Sequence, residues 1–307
     1  MDIFLQAGML WNGILGIEPS PYFEVKIATL DGQPVTATNQ VSIAPHCSVD
    51  EVDHADLILI PSQGFQFGIQ DQTFFKRVEW LKKCYRNGAD LASVCTGAFT
   101  LAATGLLDGK TATTHWGVTQ AFKTAFPKIN LRTDLMVTDE GRLFCGGGMT
   151  ADLNLSIYLI NKYCGREVAL QCSRCTLVNL DRLSQLPFSI FIPEKNHQDS
   201  EILKIQEWIE LNFPHRFSIE TLAKKAGMSA RNFNRRFKAA TGETAVKYLQ
   251  QVRIEAAKKE LEDSRQSFDE ISFKVGYENV SFFRRIFKQG TGLSPAAYQE
   301  RFFNVLG

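Results

Sequence analysis

No apolar run in this sequence approaches the roughly 20 residues needed to cross a bilayer. The first residues, Met-Asp-Ile-Phe, lack the basic cluster that opens a secretory leader. Membrane insertion and export are therefore not expected, and a cytoplasmic location is. The cysteines number seven, an odd count without a regular framework, which argues against a disulfide scaffold and for reduced thiols. Cys172-x-x-Cys175 is the one close pair, with no second CxxC or CxxH beside it, so a zinc site is not expected. A redox pair and two incidental thiols are the readings that stand. No metal and no cofactor is called for. A large charge of either sign is also missing, since 34 Lys and Arg meet 33 Asp and Glu for a net of +1.

That balance conceals an asymmetry. Residues 200–307 hold 18 Lys and Arg against 13 Asp and Glu, a net of +5, which leaves −4 for residues 1–199. A length of 307 residues suggests about two domains, each able to bury a core. A basic C-terminal part joined to an acidic partner suits a nucleic-acid reader fused to something else.

The C-terminal part repeats itself. Leu222-Ala223-x-x-Ala226-Gly227-Met228-Ser229 is followed by Phe233, Arg235, Phe237-Lys238 and Thr241-Gly242. Ile271-Ser272-x-x-Val275-Gly276-Tyr277 is followed by Phe283, Arg285, Phe287-Lys288 and Thr291-Gly292. The offset is 49 before the turn and 50 after it, so the second turn is one residue longer. A short helix, a turn containing glycine and a second helix make a helix-turn-helix, and two copies make a tandem reader rather than a solenoid.

Helical pitch places Arg231, Asn234 and Arg235 on one face, with Phe233 and Phe237 on a separate apolar stripe. Ser281, Arg284, Arg285 and Lys288 repeat the polar face, and Phe283 and Phe287 the apolar one. Arg can bond guanine bidentately and Asn can do so to adenine, so these faces suit base edges and phosphates. Arg231, Asn234, Arg235, Ser281, Arg284 and Arg285 are the expected groove contacts. Lys238, Lys247 and Lys288 are expected to meet phosphates or solvent.

This stretch, above all Val275 to Tyr298 with Gly290-Thr291-Gly292-Leu293-Ser294-Pro295, resembles the AraC/XylS family of transcription regulators. The resemblance implies double-stranded DNA as partner and recognition helices near Ser229–Ala240 and Asn279–Gln289. A linking helix over Thr244–Leu261 would be about 27 Å long at ~1.5 Å per residue. That span can set the recognition helices near one turn of DNA apart, ~34 Å.

The N-terminal part alternates strands and helices, which predicts an α/β domain around a largely parallel sheet. Strands are expected at Tyr22–Leu30, Asp56–Pro61, Ala89–Val94, Thr111–Thr113, and in a hairpin of Leu135–Thr138 with Leu143–Cys145. Helices are expected at Met1–Leu10, Phe74–Arg86, Gly97–Gly105, Trp116–Phe126, Thr150–Tyr163, and in part of Cys172–Leu186. A parallel α/β domain normally begins with a strand, so the first strand is expected to be absent from this chain or to lie upstream. The expected domains are 1–186 (α/β sensor), 187–200 (linker) and 201–307 (helical DNA reader).

Ala92-Ser93-Val94-Cys95-Thr96-Gly97-Ala98 puts a cysteine between a buried strand and a helix, the geometry of a nucleophile elbow. A helix N-terminus would lower the thiol pKa, and His115 is the nearest candidate base in sequence. Val94-Cys95-Thr96-Gly97 and Thr113-Thr114-His115-Trp116 resemble the class I glutamine-amidotransferase-like superfamily of the PfpI/ThiJ type, over roughly residues 1–165. Joined to an AraC-type domain, this looks like the GlxA-type regulators, and the fold implied is a flavodoxin-like parallel sheet with flanking helices. Enzymes of that superfamily often place an acidic residue beside the cysteine from just after the first strand, which would fall before Met1 here. They also commonly carry His after the Cys, where this chain has Thr96.

Three readings of Cys95 stand: nucleophile, lining of an effector pocket, or vestige of the fold. Cys95, Thr96, Gly97 and His115 are the effector-pocket candidates, and no catalytic residue is assigned. Trp116 is either an aromatic wall or a core residue starting its helix. The expected function is a sequence-specific transcription regulator controlled by a small metabolite. The rival is a Cys-dependent hydrolase or glyoxalase-like enzyme. Expected partners are a small-molecule effector, a second copy of the chain and, optionally, RNA polymerase.

Overall fold

The computed structural model describes residues 2–37, 39–64 and 72–303. Met1, with which the first expected helix begins, and residues 304–307 of the expected DNA reader lie outside the described residues. The chain divides into two units, Met1–Gln185 and Leu186–Gly307.

The first unit is built on a four-stranded sheet in the spatial order Leu57–Ile60, Asp90–Val94, Leu143–Gly146, Val137–Asp139. The first three strands run parallel, and the last pairs antiparallel in a hairpin with the third. Alternate residues of the central strands feed opposite cores, as the period of two requires. Ala92, Val94 and Phe144 face the helices Ala151–Cys164 and Arg166–Thr176, while Leu91, Leu143 and Cys145 face Leu101, Phe99 and Phe122. Burial on both faces explains why these strands read as continuous apolar runs.

Several expected elements are shorter or displaced. Of Tyr22–Leu30 only Ala28–Thr29 is a strand, paired parallel with Cys47–Ser48, because the Ile27 N–H is taken at 2.9 Å by the imidazole Nδ1 of His46. The first helix is broken into Asp2–Gln6 and Leu10–Ile14, where the chain doubles back and the Ser20 N–H donates to the Gly8 carbonyl. Trp116–Val118 is a 3-10 turn ahead of the helix Thr119–Ala125. The helical piece expected within Cys172–Leu186 runs Arg166–Thr176 instead. It stops because Leu177 turns left-handed at φ +55°, with Val178 N and Ser173 Oγ closing the end. Cys172 and Cys175 both sit on that helix, and burial with the neighbouring Cys175 and Cys164 sulfurs pushes the Cys172 thiol up to about 11.

The second unit is helical throughout. Ser200–Asn212 opens it, Ile219–Lys225 and Ala230–Thr241 form the first helix-turn-helix, and Phe268–Lys274 and Val280–Thr291 the second. Ala245–Asp263 links them, and Pro295–Phe302 closes the unit. The helices start on side-chain caps at Asp199, Ser218, Ser229, Thr244, Ser267, Asn279 and Ser294, each accepting from a backbone N–H three residues on. The linking helix serves both halves. Ala245 and Tyr248 enter the core of Phe233 and Phe237, and Ile254, Ala257 and Leu261 enter the core of Phe283 and Phe287.

The duplication reaches further than its motifs. Tyr248 and Tyr298 lie 50 positions apart, both are buried, and each hydroxyl donates to a carboxylate, of Glu210 and Glu262 respectively. Thr241 and Thr291 each donate to the carbonyl four residues back, of Phe237 and Phe287.

The stretch 187–200, expected as a linker, lies along this unit as a strap. Phe188 meets Phe302 edge-on and Phe191 meets Tyr248 edge-on. Lys258 donates to the Ser189 carbonyl at 2.7 Å, and Gln206 donates to that of Glu194 at 2.9 Å. Among the described residues no helix is long and apolar enough to cross a membrane.

Candidate functional site

The elbow forms where the Asp90–Val94 strand meets the helix Gly97–Ala103. Cys95 takes a left-handed backbone, φ +55°, a conformation that costs a non-glycine residue about 1 kcal/mol or more. Three contacts hold it there. Its N–H donates to the Gly146 carbonyl at 2.9 Å, and its carbonyl accepts from Thr114 Oγ1 at 2.7 Å and from the Ala98 N–H at 3.3 Å. The residue is 5% exposed.

Thr96 and Gly97 have a scaffold role in this arrangement. Thr96 Oγ1 accepts from the Gln63 N–H at 2.9 Å and pairs with Ser62 Oγ at 3.1 Å, so it ties down the loop after the first strand of the sheet. A Cβ on Gly97 would lie 2.6 Å from the carbonyl oxygens of both Ile60 and Pro61, so only glycine lets the turn approach that strand.

His115 caps the 3-10 turn that follows it, with Nδ1 accepting from the Gly117 N–H at 3.0 Å. That bond assigns the proton of the neutral ring to Nε2. Burial lowers the His115 pKa from its ordinary value, which favours the same neutral form. The Trp116 ring lies against it with centroids 5.0 Å apart, and Trp116 is itself partly buried. No hydrogen bond joins His115 to Cys95 among the described residues.

The residue that sequence reasoning missed is Gln185. It is 2% exposed, and its Nε2 donates to Thr113 Oγ1 at 3.1 Å, to the Thr114 carbonyl at 2.9 Å and to the Leu135 carbonyl at 3.0 Å. Two carbonyl oxygens around one atom fix the amide orientation, since an oxygen there would face both of them. The opposite atom, Oε1, is buried and has no hydrogen-bond partner among the described residues. A Cβ on Gly147 would fall 2.2 Å from Gln185 Nε2, which explains the glycine there. Above Gly148, the point where a Cβ would stand is 3.8 Å from Gln185 Oε1 and 3.9 Å from His115 Nε2. The run Gly146-Gly147-Gly148 was the only signal of this close approach, and it did not indicate what approaches.

All six groove candidates are exposed on the second helices of their units: Arg231, Asn234 and Arg235 on Ala230–Thr241, and Ser281, Arg284 and Arg285 on Val280–Thr291. Arg235 is steadied by Asn232 Oδ1 at 2.9 Å, and Arg285 lies 5.4 Å from the centre of the Phe282 ring. Arg284 bonds Asp269 at 3.1 Å, a contact made within the second helix-turn-helix. Arg236, on the same helix as Arg235, is held away from that face by both oxygens of Asp199, at 2.6 and 2.8 Å. This pair holds the Asp199 carboxyl below its ordinary range.

Comparison with known proteins bears on both units. The DJ-1/PfpI family profile matches residues 20–158, and the helix-turn-helix domain profile matches residues 222–301. The chain is 27% identical over 270 residues to the HTH-type transcriptional regulator GbdR of Pseudomonas aeruginosa, covering 87% of this chain and 72% of the relative. It is 29% identical over 224 residues to the HTH-type transcriptional regulator GlxA of Rhizobium meliloti, covering 72% and 68%. The chain is also similar to the isonitrile hydratase of Pseudomonas putida, 29% identical over 152 residues, covering 48% of this chain and 63% of the relative. With a duplicated helix-turn-helix following a cysteine elbow on a flavodoxin-like sheet, the chain joins a DJ-1/PfpI-type domain to an AraC-type helix-turn-helix domain and is similar over most of its length to HTH-type transcriptional regulators such as GbdR and GlxA.

Proposed function

We propose that this regulator reads DNA with both recognition helices and is controlled by a small metabolite held beside Cys95, in the cytoplasm. The observation that carries the DNA half is the repeated exposed polar face, backed in each copy by two fully buried phenylalanines. Arg231, Asn234, Arg235, Ser281, Arg284 and Arg285 supply the groove contacts in this reading, and Lys238, Lys247 and Lys288 meet phosphates. A second copy of the chain and RNA polymerase are its further partners.

The input half rests on the unpaired Gln185 Oε1, an acceptor, and His115 Nε2–H, a donor, both within 4 Å of the point where a Cβ on Gly148 would stand. A small polar molecule that offers one N–H or O–H and one acceptor oxygen complements that pair, and Thr114 ties the same place to the Cys95 carbonyl. The similarity to HTH-type transcriptional regulators over most of the chain supports sensing, and isonitrile hydratase shows what the enzymatic alternative would resemble.

Selection of DNA by the full chain from a random pool tests the output. The expected product is a site with two contacted segments about one helical turn apart. A purified Cys95→Ala protein that still regulates its promoter supports sensing without thiol chemistry. Turnover of an amide or α-oxoaldehyde that Cys95→Ala abolishes would instead establish the enzyme.

A further inference from the structure

Gln185 is the last residue of the first unit, and Leu186 the first of the second. On its own side Gln185 is fastened from every direction. Its N–H donates to the Asp134 carbonyl at 3.0 Å, Ser184 Oγ donates to that same carbonyl at 2.7 Å, and its amide binds both threonines that precede His115. Thr114 in turn holds the Cys95 carbonyl. A single side chain therefore joins the elbow, the His115 turn and the end of the domain.

On the other side, the strap that begins at Leu186 touches both readers. Leu186 and Pro187 pack beside Gly292, the residue that ends the second recognition helix, within 4 Å of where its Cβ would be. Lys258, on the linking helix, grips Ser189. Asp199, at the far end of the strap, caps the opening helix and clasps Arg236 of the first recognition helix with two bonds. Between these ends Phe191, Glu194 and Lys195 are anchored to Tyr248, Gln206 and Glu210, so the strap is fastened along its length.

We propose that Gln185 is the positioning residue through which occupancy of the Cys95–His115 site is converted into the setting of the two recognition helices. A ligand N–H or O–H that bonds the free Oε1 completes the amide's bonding and fixes its placement between Thr113, Thr114 and Leu135, and the residue it fixes is covalently continuous with the strap. A buried carbonyl oxygen without a donor destabilises the empty site, and a ligand donor removes that cost, so occupancy holds this end of the domain more firmly. The inference rests on the reading of this site as the effector site, and it adds the route by which the effector acts.

Coupling between two sites is reciprocal, so the route can be tested from the DNA end with no effector in hand. The probe is the duplex that the full chain itself selects, with an unrelated duplex as control, and the readout is amide hydrogen exchange in the full chain. Saturation with the selected duplex should change exchange at residues 134–136 and 183–186 by about 5-fold or more, the lower end of ordinary allosteric coupling. A Gly-Ser insertion between Gln185 and Leu186 leaves the contacts within each unit in place. It should keep the affinity for the duplex while abolishing the change. An unaltered exchange pattern in the wild-type chain, or a change that survives the insertion, overturns the proposal. Failure to select any duplex at all would instead remove the DNA reading beneath it.

Discussion

Arg235 and Arg285 occupy equivalent places, 50 positions apart, and their substitution tests the reading geometry as a pair. Each guanidinium is exposed, and among the described residues Arg235 bonds Asn232 and Arg285 lies against the Phe282 ring. Replacing either by alanine should leave thermal stability within ~0.5 kcal/mol, as for other surface positions. Loss of a bidentate base contact costs about 1–3 kcal/mol, or ~5- to 150-fold in Kd. The assay is fluorescence anisotropy at one fixed salt concentration, on the selected duplex and on duplexes mismatched one base pair at a time. Arg235→Ala should relax discrimination at one position and Arg285→Ala at another. The 19-residue linking helix, about 28 Å long, predicts that the two positions lie roughly one turn apart, ~10 base pairs. Arg236→Ala is the internal contrast: it frees Asp199 and should lower the melting temperature while leaving the pattern of base preference unchanged. Equal weakening on selected and random DNA by Arg235→Ala would refute the assignment of that side chain to a base.

Three further outcomes follow from the packing and the charges. Gly97→Ala places a methyl 2.6 Å from two backbone carbonyls and should destabilise the first unit by about 1–3 kcal/mol or more, read by calorimetry on the full chain. Tyr298→Phe removes the hydroxyl that donates to Glu262 and should cost ~1.5–3 kcal/mol in the second unit, with Tyr248→Phe giving a matching loss through Glu210. His115 has a folded pKa below its ordinary 6.5, so its contribution is present above that value and is lost as pH falls through the lower folded value. The melting temperature of the first unit should therefore decline on acidification below about pH 6.5, and His115→Asn, which keeps a cap acceptor and cannot titrate, should flatten that slope. A slope unchanged by the substitution would show that other groups set it.

The helical unit was legible because its information is local and written twice. Caps, left-handed glycines after the recognition helices and the phenylalanine stripe all follow from spacing along the chain, and the two copies check one another. Even so, Arg236 sits in the same basic cluster as Arg235 and could not be told from it by pitch alone. Only Asp199, 37 positions away, separates their roles. The strap read as a polar linker for the same reason, since its anchors at Lys258, Gln206 and Phe302 lie far along the sequence.

In the α/β unit the buried strands, the hairpin and the cysteine turn were readable from apolar runs and turn residues. Cys95 announces an elbow because a strand runs directly into it and a glycine follows. Whether that elbow carries a nucleophile depends on what stands across from it, and that is a matter of distance in space. His115 uses Nδ1 to cap the 3-10 turn that follows it, while Gln185, seventy residues further on, binds the carbonyl of the residue before His115.

The amino-acid sequence by itself therefore determined the two-part plan, the duplicated reader, the faces it turns outward and the place of the cysteine turn, because each depends on periodicity or on neighbours in the chain. The tertiary structure alone decided which arginine of the first recognition helix is clasped by Asp199, and which distant residue binds the threonines before His115. Those depend on side chains brought together by folding, and no spacing along a chain encodes which distant partner a buried amide or guanidinium will meet.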